Sequence, residues 1–132
     1  MEMSLLHPTT GERLSLSVRT SMLNEFRNQA GQLRAFEVRR GYTSFGGLCT
    51  ALGKCPGVQF QGLTSTTWYP RPARFTFRGH TFQVDIPYTD FWVGPLQADD
   101  SHTSLKELLD YVKYNVLRHR LSLLRSHYVS NV

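Results

Sequence analysis

Apolar and polar residues alternate along residues 74–86, and this pattern constrains the fold more than any other feature of the chain. Phe75 and Phe77 come before the glycine at position 79, and Phe82 follows it in the same alternation. Successive side chains of a strand point to opposite faces, so a period of two indicates strands buried on one side. A short turn with glycine between two such strands predicts a β-hairpin.

Weaker alternation predicts further strands on both sides of this hairpin. Val58 and Phe60 flank the polar Gln59 before it, and residues 91–93 form a short apolar run after Pro87. We expect the latter run to be an edge strand, because proline removes a ladder hydrogen bond nearby. At the N-terminus, residues 3–6 and 13–19 flank a turn rich in Pro, Thr and Gly, which predicts a second hairpin.

Three segments instead repeat apolar residues every three or four positions, which is typical of helices. The first runs from a possible Thr20 cap to about residue 40, the second covers residues 44–52, and the third covers residues 104–125. In the third, Ser104 and Glu107 match the capping box that opens many helices.

Together these elements predict one α+β domain over residues 1–132. An antiparallel sheet, built from the N-terminal hairpin and the later meander, would carry two main helices packed on one face. The later strands follow one another without crossover helices, so the pattern excludes a doubly wound parallel sheet.

The sequence features also indicate a cytoplasmic protein. The first residues lack the basic and apolar regions of a signal peptide, and no window reaches the ~18 apolar residues of a membrane span. Cys49 and Cys55 are the only two cysteines. Without a secretory signal, we expect both to be reduced thiols.

The positive charge of the chain has two explanations. The formal net charge is +5, and it comes from twelve Arg and three Lys against ten acidic residues. Arginine binds carboxylate or phosphate groups with two parallel hydrogen bonds, so its excess would suit recognition of either group. A genome of high GC content also favours Arg codons, and the charge alone therefore names no partner.

No established catalytic or metal-binding motif is present. The nucleophile elbow, the phosphate-binding glycine loops and the zinc-protease helix are all missing. Cys49 and Cys55 do not have the spacing of a redox or zinc pair, and His80 and Asp85 fall on opposite faces of one strand. We therefore expect no catalytic residue, no metal and no cofactor.

The most distinctive composition lies around the later strands, where aromatic and arginine side chains are concentrated. These types dominate the binding energy of protein interfaces, because they bury much area and keep a polar group. The predicted partner-binding residues are Trp68, Tyr69, Arg71, Arg74, Tyr88, Asp90 and Trp92. The alternative is that Trp92 belongs to the core and Tyr69 packs a loop. The same residue types would also stack on bases and bind phosphates.

In size and pattern the chain resembles, in class only, small bacterial immunity proteins and phage-encoded inhibitors. That resemblance implies a non-enzymatic module that occludes the working surface of one partner, as in toxin–antitoxin pairs. Because this chain is basic, we expect the partner to be acidic where it is contacted. The alternatives are an arginine-rich nucleic-acid-binding module and an enzyme of unrecognised type, and the sequence leaves both open. The oligomeric state is likewise open.

Overall fold

The computed structural model describes residues 4–61, 72–87 and 89–117, in which eight strands form one antiparallel sheet beside two helices. The strands are β1 (Ser4–Leu6), β2 (Arg13–Arg19), β3 (Leu23–Arg27), β4 (Leu33–Val38), β5 (Gln59–Phe60), β6 (Ala73–Phe77), β7 (His80–Asp85) and β8 (Phe91–Pro95). The helices are α1 (Phe45–Gly53) and α2 (His102–Val112), and a π-helical turn, Lys113–Leu117, extends α2. The expected α+β class with an antiparallel sheet is confirmed.

The order of strands across the sheet is β1-β2-β3-β4-β8-β7-β6-β5, so the two hairpin-rich halves of the chain meet where β4 pairs with β8. Both predicted hairpins are present, β1 with β2 and β6 with β7. Arg78 and Gly79 both have positive φ, of 54° and 80°. This is the backbone that a two-residue hairpin turn with the right-handed twist of its strands requires.

The helix predicted over residues 20–40 is wrong, because this segment forms the hairpin of β3 and β4. Asn28 makes the turn: its side-chain Oδ1 accepts hydrogen bonds from the backbone N–H groups of Ala30 and Gln32, at 3.1 and 3.0 Å. Gly31 has a φ of +78°, which does not occur inside a right-handed helix. Thr20, read as a helix cap, instead binds the backbone of Leu23 in the turn between β2 and β3.

A second correction follows from the first. The strand predicted at the edge, β8, lies in the middle of the sheet between β4 and β7. All five of its residues are buried. The sequence analysis placed it at an edge because of Pro87, but Pro87 precedes β8 and removes no hydrogen bond from within it.

Helix α1 is confirmed, and Ser44 caps it by accepting a hydrogen bond from the backbone N–H of Gly47 at 2.9 Å. Helix α2 begins earlier than predicted: Ser101 precedes it, and Ser104 lies buried inside it rather than capping it. Its predicted end near residue 125 lies outside the described residues. Neither α1 nor α2 has the length and hydrophobicity that crossing a bilayer requires.

Buried apolar side chains form two clusters, one larger than the other. The larger cluster contains residues from both helices, such as Leu52 and Leu109, together with strand residues such as Phe36 and Phe82. The smaller cluster contains Leu14, Phe26, Ala35 and Trp92, which all come from strands. On β4 and β8, neighbouring residues (Ala35 and Phe36, Trp92 and Val93) join different clusters, because strand side chains alternate between the two faces of a sheet. We call the side of the smaller cluster the strand face.

Candidate functional site

The structure describes three of the seven residues predicted to contact a partner. Trp68, Tyr69, Arg71 and Tyr88 lie outside the described residues, so their role stays a prediction. Arg74 is exposed on β6, and Asp90 is partly exposed just before β8.

Trp92 is a correction, because only 2% of its surface is exposed. Its ring packs against Phe26, with ring centroids 5.2 Å apart, and against His7 at 5.6 Å. The central position of β8 places it in the smaller core cluster, as the alternative interpretation of the sequence held. Trp92 therefore leaves the predicted contact surface.

Arg74 belongs to a short polar chain on the strand face. Its Nε donates to Gln83 Oε1 at 3.2 Å, and Gln83 Nε2 donates to Asp85 Oδ2 at 3.3 Å. Arg74 and Asp90 do not line the same pocket. The structure thus does not bring the described members of the predicted contact set together.

The strand face instead carries a pocket of about 340 Å³, which we call the strand-face pocket. It has three apolar residues, and the other six that line it are polar or charged. These nine residues are Leu5, Leu16 and Phe26, with Arg19, Asn24, Glu37, Arg39, Thr89 and Asp90. Small-ligand pockets have volumes of roughly 300–1,000 Å³ and combine apolar walls with a few converging polar groups.

The register of the sheet brings the polar residues together. Arg19 on β2 lies directly opposite Asn24 on β3, and Asn24 lies opposite Glu37 on β4. Arg39 continues the same ladder, because its backbone N–H donates to the carbonyl of Met22 at 2.9 Å. Since side chains two apart on a strand share a face, Glu37 and Arg39 point to the same side.

Glu37 places a buried carboxyl group in this pocket. The residue is 8% exposed, and Asn24 Nδ2 donates a hydrogen bond to Glu37 Oε1 at 3.0 Å. Burial raises the pKa of the Glu37 carboxyl. The hydrogen bond from Asn24 opposes this rise, the negative charge of Asp90 adds to it, and the charge of Arg39 opposes it, with a net increase in pKa.

Asp90 fixes the segment before β8 against the end of β4. Its Oδ1 accepts a hydrogen bond from the backbone N–H of Arg40 at 3.2 Å. This contact explains how a residue that is distant in sequence reaches the Arg39 side of the pocket.

Several polar groups of the pocket lack partners within the described chain. Neither Arg19 nor Arg39 forms an ion pair with a described residue. Asn24 Oδ1 and Arg39 Nε are buried without a hydrogen-bond partner, and they are two of only four such side-chain atoms among the described residues. A buried polar atom without a partner costs about 1–3 kcal/mol, so two at one pocket call for an explanation.

The arginine of β4, Arg34, has side-chain hydrogen-bond partners that Arg39 lacks among the described residues. Arg34 is 1% exposed, and its Nε donates to Glu12 Oε1 at 2.7 Å. Its two terminal nitrogens donate to the carbonyl oxygens of Asp99 and Gln97, at 2.7 and 3.2 Å. All three nitrogens are thus engaged, and the hydrogen bond from Arg34 is the main reason why the pKa of Glu12 is lowered despite burial. This cluster ties the β1–β2 turn to the start of α2 and offers a ligand no free donor nitrogen.

The cysteines provide no nucleophile. Cys49 and Cys55 are both buried and are not bonded to each other. Burial raises the pKa of Cys49 to about 12, so it is a thiol at neutral pH, and burial also raises the pKa of Cys55. The reactive form of cysteine is the thiolate.

The histidine and acidic residues singled out in the sequence do not form a metal centre in the described part of the chain. His80 Nδ1 lies 3.1 Å from Asp99 Oδ2, but no described group of three or more His, Cys, Asp or Glu residues has the arrangement to hold an ion. The hydrogen bond from Ser101 and the contact with His80 lower the pKa of Asp99 although burial opposes this.

Eight of the nine pocket residues were not among the predicted contact residues, and for the polar ones within residues 20–40 the wrong helix is the reason. Asn24, Glu37 and Arg39 fall within residues 20–40, and a helix would have scattered them around its axis. The signal that would have found them is the turn from Asn28 to Gly31, because it splits the segment into two strands. Arg19 would then have been placed opposite Asn24. Asp90 alone was identified in advance.

Comparison with known proteins adds no family to this geometry: no family model matches the chain, and it has no significant similarity to a curated protein or a solved structure.

Proposed function

We propose that this chain is a non-enzymatic protein-binding module that contacts its partner through the strand-face pocket. The observation that carries the proposal is the pair of guanidinium groups, Arg19 and Arg39, without ion-pair partners among the described residues beside an apolar surface. Arginine next to apolar area is the usual composition of an interface hot spot. An immunity protein or inhibitor that covers the working surface of its partner is the class that fits best.

Charge supports an acidic partner surface. The chain has a net charge of +5, and Arg19 and Arg39, which form no ion pair with a described residue, give the pocket two cationic groups beside the acidic Glu37 and Asp90. Complementary charge raises the rate of association and excludes partners of like charge. The partner surface we expect therefore presents carboxylates beside apolar side chains.

The lining of the pocket favours binding over catalysis. Its described lining includes no Cys, His or Lys, so the carboxyl groups of Glu37 and Asp90 are the candidate bases. The raised pKa of Glu37 would suit an acid catalyst, but its carboxyl accepts the hydrogen bond of Asn24. That contact gives Glu37 a role in positioning Asn24.

The test starts from affinity capture with the tagged full chain in a lysate of the native host. A captured protein is then identified, purified and titrated by calorimetry against three forms of the chain: wild type, Arg39→Met and Arg13→Met. Arg13 is a matched control, because it is exposed on the same sheet and does not line the pocket. We expect Arg39→Met to weaken binding at least about tenfold and Arg13→Met to leave it unchanged.

Equal affinity of all three forms would contradict the proposal. Recovery of nucleic acid alone, with affinity that falls steeply with salt, would favour the nucleic-acid-binding alternative instead. A Trp68→Ala variant in the same titration tests the segment over residues 68–72: a loss with Trp68→Ala as well as with Arg39→Met would extend the surface to that segment.

A further inference from the structure

We infer that the strand-face pocket recognises the C-terminal residue of the partner chain, with an apolar side chain next to the terminal carboxylate. This inference rests on the proposed function and adds the chemical group that the pocket binds. Three features of the pocket support it: two guanidinium groups without ion-pair partners among the described residues, an apolar surface beside them and an acceptor that likewise has no described partner.

The arginines provide the carboxylate site. Arg39 is half-buried, and its Nε has no partner within the described residues, while Arg19 is exposed across the same ladder. A guanidinium binds a carboxylate with two parallel N–H donors, and a bond to charge is about twice as strong as a neutral one. A carboxylate on Arg39 would satisfy the buried Nε donor.

The apolar residues provide the side-chain site. Leu16 on β2 lies directly opposite Phe26 on β3, and Leu5 packs beside them. The volume of about 340 Å³ is at the small end for ligand pockets, so it suits one residue better than a length of chain. An Asp or Glu within a partner chain would bring its carboxylate without an apolar group on the same residue. A terminal Leu or Val brings both.

Asn24 provides the acceptor for a backbone N–H. Its Nδ2 is engaged by Glu37, so the free atom is Oδ1, and the residue is 8% exposed. In a terminal residue the N–H group, the side chain and the carboxylate all branch from one Cα atom. Asn24 and Arg39 are diagonal neighbours across the ladder, and the Cα atoms of such neighbours are about 7–8 Å apart. One terminal residue can therefore contact both side chains.

Two properties of the site shape the test. Glu37 and Asp90 place negative charge on the same rim, so a plain anion such as acetate gains little from the arginines alone. Asn24 Oδ1 and Arg39 Nε are both screened from solvent, so the Arg39 side chain must turn when a ligand binds. Binding will therefore shift the Nε–H resonance of Arg39.

The experiment is an NMR titration of the uniformly ¹⁵N-labelled full chain with N-acetyl-leucine as the probe. We expect shifts at Arg39 Nε and the Asn24 side-chain amide, with a Kd on the order of 1 mM for so small a ligand. N-acetyl-leucinamide lacks the carboxylate, N-acetylglycine lacks the side chain, and acetate lacks both the side chain and the amide. Each is expected to bind at least about fivefold more weakly.

Variants separate the site from the rest of the surface. Arg39→Met and Leu16→Ala should each weaken N-acetyl-leucine binding at least about fivefold, and Arg13→Met should not change it. Each variant is first shown by its amide spectrum and melting temperature to be folded.

A free small carboxylic acid is the other source of the same chemistry. A peptide ending in Ala-Ala-Leu that binds more tightly than N-acetyl-leucine supports a chain terminus.

Several results would overturn the inference. N-acetyl-leucinamide binding as tightly as the acid would show that the carboxylate is not recognised, and equal binding of acetate would show a general anion site. A tripeptide weaker than N-acetyl-leucine would show that the pocket is closed to a chain. Absence of any shift at the pocket would also reject the inference. The proposed function is judged separately by the capture titration, in which partner binding can depend on Arg39 whether or not a chain terminus is the group bound.

Discussion

Arg34 and Arg39 stand five residues apart along the chain, and they show how differently the same side chain is treated in two regions of one sheet. Arg34 is fully enclosed, and each of its three nitrogens has an acceptor. Arg39 is half-buried and its Nε has no partner among the described residues. A satisfied buried group stabilises a fold, whereas an unsatisfied one costs stability and is retained where it has another use. The contrast supports a structural role for Arg34 and agrees with the proposed binding role of Arg39.

The two apolar clusters also differ in how much they stabilise the fold. The largest loss of stability is expected from a substitution in the larger cluster. Leu109 of α2 is fully buried there. Leu109→Ala should reduce the free energy of unfolding by about 2–5 kcal/mol through cavity formation. Leu16, half-buried on the strand face, should cost about 1 kcal/mol or less as Leu16→Ala. Denaturant melting of both variants checks the order, and equal losses would remove the difference between the faces.

A second prediction concerns Arg34 itself. Arg34→Met should cost about 3 kcal/mol in urea unfolding, because Glu12 and two backbone carbonyls lose their charged donor. The partly exposed position of Glu12 places the loss at the low end of the range for broken buried pairs. Arg13→Met is the control and should change stability by about 0.5 kcal/mol or less. A loss below about 1 kcal/mol for Arg34→Met would mean that its contacts do not hold the turn to α2.

A smaller effect on stability is expected from His7. This residue is 2% exposed, and its ring packs against Trp92. Burial first, and then the charge of Arg34, lower the pKa of His7 from 6.5 to about 4. Between these two pKa values the unfolded chain binds more protons than the folded chain, so stability falls as the pH decreases. The loss should be about 2 kcal/mol between about pH 6 and pH 4.5, and His7→Gln should remove this part of the pH dependence.

The control for this prediction is the difference between the two proteins at each pH, because acidic residues also titrate. The lowered pKa values of Glu12 and Asp99 add to the loss at acid pH, whereas the raised pKa of Glu37 opposes it. These contributions are common to wild type and His7→Gln. Identical slopes for the two proteins would show that His7 does not titrate with a lowered pKa.

The sequence was sufficient for the fold wherever alternation and a glycine turn agreed. Residues 74–86 have both, and β6 and β7 pair as predicted. Residues 20–40 were misread because their apolar residues fall at helical spacings although they belong to two strands. Phe26 lies beside a register shift between β3 and β4, which breaks the period of two at that point. The local spacing of apolar residues there favours a helix, but pairing with neighbouring strands determines the structure that forms.

The candidate site was predictable only in part for the same reason. Asp90 was among the predicted contact residues, but its neighbours Glu37 and Arg39 lie on and just after β4, a strand that the pattern did not predict. Trp92 was expected at the surface because its strand was placed at an edge. A pocket built across three strands depends on which strands pair, and that depends on contacts between residues far apart in the sequence.

The most direct test of the central claim is the free energy of unfolding of Arg39→Met, measured by urea beside Arg34→Met. Removing a buried donor that has no acceptor should leave stability within about 0.5 kcal/mol of wild type or raise it. This result would show that the fold does not depend on Arg39, in contrast to Arg34. A loss of about 2 kcal/mol or more would show that Arg39 is a structural residue and would contradict the account.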